Sequence, residues 1–236
     1  MSIFESCKLY LRARPFPAIA AIGLGIANSM LSESSGVAPS VQFLLSMASL
    51  AALLFVGYTA LVDMYRYLAP KGRKPIDGSS TIWSYVLRTL AIGLCWTVPY
   101  FALFTVVSRL ELPPTLNLIV LQIPSVVLGS LVWSIFGVWL VSAIADGSDR
   151  QLIFQRTKGP IISTFGMFVA INSLLSAAFV LSNIATQHLI ISAGSAVIWA
   201  TLGVFREIVV APILINAYLR DRSNIVGRTP SSDPGV

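Results

Sequence analysis

Arg206 and Glu207 sit side by side with apolar sequence on both flanks, from Ala196 to Phe205 before them and from Ile208 to Ala217 after. A charge placed in hydrocarbon costs roughly 2.5–3.5 kcal/mol even on the mildest scale, so charges that persist there mark ion or substrate paths, proton relays or buried pairs. Arg206 lies fourteen residues before Arg220, about 21 Å along a straight helix. Adjacent helical residues point about 100° apart, so the spacing predicts a separate partner for each charge rather than one i,i+4 pair. Asp63 and Arg88 are the candidate countercharges, Asp63 for Arg206 and Arg88 for Glu207. Pro212 cannot donate to the Ile208 carbonyl, which predicts a kink beside the charges. Broken helices with nearby charges are what transporters build sites from. The same residues admit a plainer reading, in which a span ends at Phe205, Arg206 snorkels to the interface and the stretch to Leu219 lies along the membrane. Arg88, five residues after Trp83, also reads as a snorkelling interfacial base.

Other reactive groups are sparse. His188 is the one histidine, and Cys7 and Cys95 fall at different depths, so no zinc or haem ligand set and no disulfide is expected within one chain. Asp146 and Asp149 share one turn, but Asp-Gly-Ser-Asp ends helices more often than it holds metal. Magnesium-dependent phosphate transfer needs clustered acids. Intramembrane proteolysis needs a Ser/His pair, an Asp pair or a zinc motif. The sequence therefore implies no catalytic residue, cofactor or metal site, and not an enzyme.

The elements that must position these residues are apolar stretches. Of 236 residues 56% are hydrophobic and 11% charged, and the mean hydropathy is +0.80. Six stretches, about 16–31, 41–62, 83–107, 116–144, 161–181 and 189–219, approach the roughly 20 helical residues that cross a bilayer. They must be helices, because a backbone in lipid satisfies its own polar groups and these stretches lack the alternation of a barrel strand. The expected fold is an all-α polytopic transmembrane bundle forming one domain, 1–222, with a flexible tail, 223–236.

Basic residues set the expected orientation. Lys8, Arg12 and Arg14 precede the first span; Arg66, Lys71, Arg73 and Lys74 follow the second; Arg150, Arg156 and Lys158 follow the fourth; Arg220, Arg222 and Arg228 follow the sixth. The alternate connections hold Glu33, then Arg109 with Glu111, then His188. The positive-inside rule places both termini in the cytoplasm, in a cell membrane expected to be a bacterial inner membrane. The net charge of +6 is then topology, with some attraction to the lipid bilayer surface, and no nucleic-acid partner is expected. A basic tail before a first span of sixteen residues also loosely fits a signal peptide. If retained, Ile3, Phe4, Leu9 and Leu11 predict an interfacial leading turn.

Spans 2, 4 and 6 each end in an acid and a base and then, about ten residues on, a basic Gly/Pro turn. This periodicity predicts three helical hairpins, although topology signals and turn chemistry alone generate much of it. Span 4 is too long for a straight crossing, which predicts tilt or a bend at Pro124, and Pro99 offers a further kink in span 3. Gly129, Ser130, Ser134 and Gly137, and likewise Ser192, Ala196 and Ala200, form small-residue seams for close packing. Asn28, Asn172, Asn183 and Asn216 either line a cavity or make interhelical hydrogen bonds. Two functions remain open. One is a structural, assembly or accessory component partnering other membrane subunits or a second copy. The other is a small permease or channel-like transporter with a site near Arg206 and Glu207.

Overall fold

The computed structural model describes residues 3–32, 37–70, 74–76, 78–110, 113–146, 158–186 and 192–226. The helices are α1 (Ile3–Ala13), α2 (Pro15–Ser32), α3 (Pro39–Leu68), α4 (Ser79–Val107, extended by a 3-10 turn to Leu110), α5 (Pro114–Phe136), α6 (Val138–Ala145), α7 (Lys158–Thr186) and α8 (Ser192–Val226). Six segments are long and apolar enough to cross a membrane: Pro15–Ser32, Pro39–Leu68, Ser79–Leu110, Ile119–Ala145, Pro160–Ala178 and Gly194–Ser223. Their outer faces are apolar. On α4, Trp83, Leu87, Leu90, Leu94, Val98 and Phe101 form one exposed stripe at helical spacing. A soluble protein rarely leaves such a surface to water. With six such helices among the described residues, the chain is a multi-pass membrane protein.

Packing within lipid has no hydrophobic drive, so it depends on close approach and polar contacts. Consecutive spans do pack as hairpins, α2 with α3, α4 with α5 and α7 with α8. Contacts between hairpins are as extensive, since α8 lies against both α2 and α3, and α5 lies against α7. Two groups result, α2–α3–α8 and α4–α5–α7, joined through α8 and the short α6. The seam on α8 meets α2 of the same chain, where a Cβ on Gly25 would come within 2.9 Å of Ala200 Cβ. Asn28 accepts a hydrogen bond from Ser46 Oγ (2.8 Å) in the same group.

The densest core lies toward the chain termini: Val56–Tyr65 on α3, Val138–Ile144 on α6 and Ile208–Ile215 on α8. Tyr65 and Tyr218 meet edge to face there, with ring centroids 6.4 Å apart. This burial overturns the surface-helix reading of span 6, because the residues after Arg206 pack inside the bundle and Asn216 alone among 208–218 is exposed. α8 continues to Val226, into the sequence expected to be tail; residues 227–236 lie outside the described residues.

The helices run on through the prolines that the sequence marks for bends. α5 continues through Pro124, and Gly137 separates it from α6. Leu214 of α8 occupies the space a side chain would need there, 2.5 Å from an ideal Gly137 Cβ. Glycine admits α8 at that point, while its own backbone keeps helical dihedral angles and its N–H still donates to the Trp133 carbonyl (2.9 Å). α4 and α8 likewise continue as single helices through Pro99 and Pro212.

The leading residues form a separate helix, α1, that packs against α2, α3 and α8. Ser6, Cys7 and Tyr10 are buried and Leu11 is exposed, while the side chains of Ile3 and Phe4 lie outside the described residues. Tyr10 Oη shares a hydrogen bond with Thr59 Oγ1 (2.8 Å), and Arg14 Nε donates to Asp63 Oδ2 (2.6 Å). α1 is thereby pinned to α3 near the end of the bundle that carries the termini.

Candidate functional site

Arg206 stands at mid-length of α8, about 21 Å from its start at Ser192 and as far from Arg220. Its Nη1 donates to Glu207 Oε1 at 3.0 Å, so the two neighbours do pair, against the expectation of separate partners. The 100° offset sets the direction of the two Cβ atoms, and the long arginine side chain reaches across it. The guanidinium also lies 5.2 Å from the centre of the Trp133 ring, a cation–π contact from α5.

Glu207 faces the other way, into a tight enclosure formed by Gly57, Leu61, Tyr85, Leu140 and Leu214. Gly57 is what makes room. A Cβ there would meet Glu207 Oε2 at 2.8 Å and the Tyr85 hydroxyl closer still. The carboxylate is therefore held between α8, α3 and α4, and its positive partner is turned toward a cavity.

That cavity, about 330 Å³, lies among α4, α5, α7 and α8. Trp96, Gln122, Gly129, Trp133, Asn172 and Trp199 are among its walls, together with Arg206. Counting along the helices, Trp199 lies about 10 Å from the start of α8 and Gln122 about 12 Å from the start of α5. The cavity thus occupies the half of the bundle away from the termini and reaches to mid-depth. Gly129 lets the Trp96 indole approach, an ideal Cβ falling 3.2 Å from Nε1. Asn172 Nδ2 donates to Ser130 Oγ (3.0 Å), and Ser176 Oγ donates to Gln122 Oε1 (2.6 Å), both between α5 and α7. Arg206 is the one formal charge among the lining residues.

The candidate countercharges lie elsewhere. Asp63 pairs with Arg14 (2.6 Å) and Arg66 (3.3 Å) at the base of α3, so it does not serve Arg206. Arg88 is buried rather than snorkelling, and it does not serve Glu207. Its Nη1 donates to the Trp139 carbonyl (2.6 Å) and to Ser142 Oγ (2.9 Å), with the guanidinium 5.0 Å from the Trp139 ring centre. α6, beyond Gly137, lies where Arg88 can reach it. Asp146 accepts from the Tyr218 hydroxyl and pairs with Arg222 (2.5 Å), tying the end of α6 to α8; Asp149 and His188 lie outside the described residues.

Of the amides, Asn172 lines the cavity and bonds across helices, Asn28 only bonds, and Asn216 is exposed. Asn183 has a side chain outside the described residues. Sequence reasoning missed Trp133, Gly57 and Tyr85 as the setting of the charges, and no periodic signal in those residues points to it. Compared with protein-family models, with curated proteins and with solved structures, the chain has no match.

Proposed function

We propose that the protein is a small permease or channel-like transporter whose intramembrane site is the Arg206–Glu207 pair and the cavity above it. One observation carries the reading: a guanidinium at mid-length of the last long helix faces an open, mainly apolar cavity that also presents Gln122, Ser125, Asn172 and Ser176, instead of a packed core. Retaining such a charge is costly, and a site that uses it offsets the cost. The cavity volume lies in the roughly 300–1,000 Å³ range of small-molecule sites. In this reading the protein lies in a bacterial inner membrane with the basic loops and both termini cytoplasmic, so the cavity faces outward.

Arg206 attracts the solute and Glu207 sets the guanidinium's position. The dense core on the terminal side closes the path, so passage requires α8 to shift against α5 and α6, with Gly137 as the place where that contact gives.

Labelling from each side tests this. With Cys7 and Cys95 replaced, a Ser125→Cys protein is treated with a small impermeant thiol reagent on intact cells and on inverted vesicles. A transporter alternates its access and labels from both sides. Labelling from one side or neither removes translocation and restores the accessory reading that the sequence also allows.

A further inference from the structure

A second, apolar groove of about 570 Å³ runs between α5 and α7 on the outside of the bundle, walled by Ile119, Ile123, Val127, Val169, Ala177 and Leu181. It borders the polar cavity directly: Gln122, Val126 and Ser176 line both. Along α7 it extends from Val169 to Leu181, twelve residues or about 18 Å, close to half of a hydrocarbon core about 30 Å thick. The groove is therefore as long as one lipid chain in one leaflet, and at that leaflet's depth. The cavity beside it offers donors and a positive charge. Gln122 accepts from Ser176 through its oxygen, which leaves its amide N–H groups as donors, and no carboxylate is among the cavity's lining residues.

We propose that the two spaces form one site for an anionic phospholipid from the surrounding bilayer, with an acyl chain in the groove and the phosphate in the cavity toward Arg206. The proposal rests on the reading of the cavity as a solute site and names its substrate class. Charge complementarity selects the headgroup, since the one formal charge among the lining residues is the Arg206 guanidinium, whose Nη1 is held by Glu207 and whose remaining N–H groups match phosphate oxygens. The Gln122–Ser176 hydrogen bond stands on the border between groove and cavity, and its opening joins them.

Trp96, Trp133 and Trp199 line the cavity and report on occupancy. The purified protein is placed in phosphatidylcholine vesicles containing a minor fraction of phosphatidylglycerol brominated on its acyl chains, and tryptophan quenching is compared with that by brominated phosphatidylcholine. The expected preference for the anionic lipid is about fivefold, the factor that a net hydrogen-bond contribution of about 1 kcal/mol implies. The double substitution Arg206→Gln/Glu207→Gln, which strands no charge, abolishes the preference, and Ala177→Phe in the groove weakens quenching by both lipids. Circular dichroism confirms that each variant keeps its helices. Equal quenching by both lipids, or a preference that survives the double substitution, overturns the proposal. Loss of the preference in inorganic phosphate but not in chloride of equal ionic strength assigns the cavity to a free anion and overturns it as well. Two-sided labelling at position 125 is read independently, so a failed lipid preference with intact labelling refutes the substrate class and leaves transport standing.

Discussion

Gly57 illustrates how one residue without a side chain fixes two with long ones. It lies 150 residues before Glu207, yet the carboxylate and the Tyr85 hydroxyl both occupy the space its side chain would fill. Gly57→Ala is expected to cost about 1–3 kcal/mol by overpacking, read as a lowered melting temperature in detergent. Gly23→Ala is the control, since nothing lies within 4 Å of a Cβ there, and it should melt like the parent or higher. Asp63 belongs to a different cluster from Arg206, so Asp63→Asn and Arg206→Ala should lower stability additively to within about 0.3–0.5 kcal/mol. A larger coupling would mean that the two groups meet after all. The charges of this site were legible in the sequence as a base and an acid within an apolar run, but the choice between a buried pair and a span ending at Phe205 was not, because it turns on the burial of the residues that follow. Nor were the partners of the two charges, because direction around a helix says nothing of how far an arginine side chain reaches, and nothing local marks Gly57 or Trp133.

α1 and α6 are the elements whose roles depend most on distant contacts. α1 rests on Tyr10, whose hydroxyl bonds Thr59 across 49 residues of sequence. Tyr10→Phe should weaken its docking by about 0.5–1.5 kcal/mol, measured as faster proteolysis or hydrogen exchange of the first thirteen residues with the spans unaffected. Burial pushes the Tyr10 hydroxyl above its ordinary pKa of 10.0. The folded state thus holds the proton more tightly than the unfolded one, and the contribution is complete below pH 10 and lost as pH rises through the raised value. Loss of this contact is therefore expected in alkali; protection of α1 that is unchanged at high pH would contradict it. The spans themselves were legible, since bilayer thickness and backbone satisfaction dictate helices of that length. The close approach at Gly137 was not, because nothing in the local sequence tells that Leu214 will occupy the space its side chain would need.

At the scale of the whole molecule, a dense core toward the termini supports a looser half that encloses the cavity, and α8 belongs to both. Topology is checked by cysteines at Ser79, on the terminal side, and at Ser35 and Gln187, which lie outside the described residues: the latter two should label from outside and Ser79 should not. Outside labelling at Ser79 would overturn the orientation. The packing joins the hairpins closely, since α8 engages the first hairpin as well as its own partner; superposition of the three hairpins is the test of the tandem-repeat expectation. The central claim is that Arg206 and Glu207 are a mid-membrane pair and not a surface one. A double-mutant cycle of Arg206→Ala, Glu207→Ala and both, followed by thermal unfolding in detergent, tests it most directly. Each single change should destabilise by about 3–5 kcal/mol by stranding the other charge, and the double should cost much less than their sum. If Arg206→Ala instead melts like the parent, the charge sits at the interface and the site does not exist.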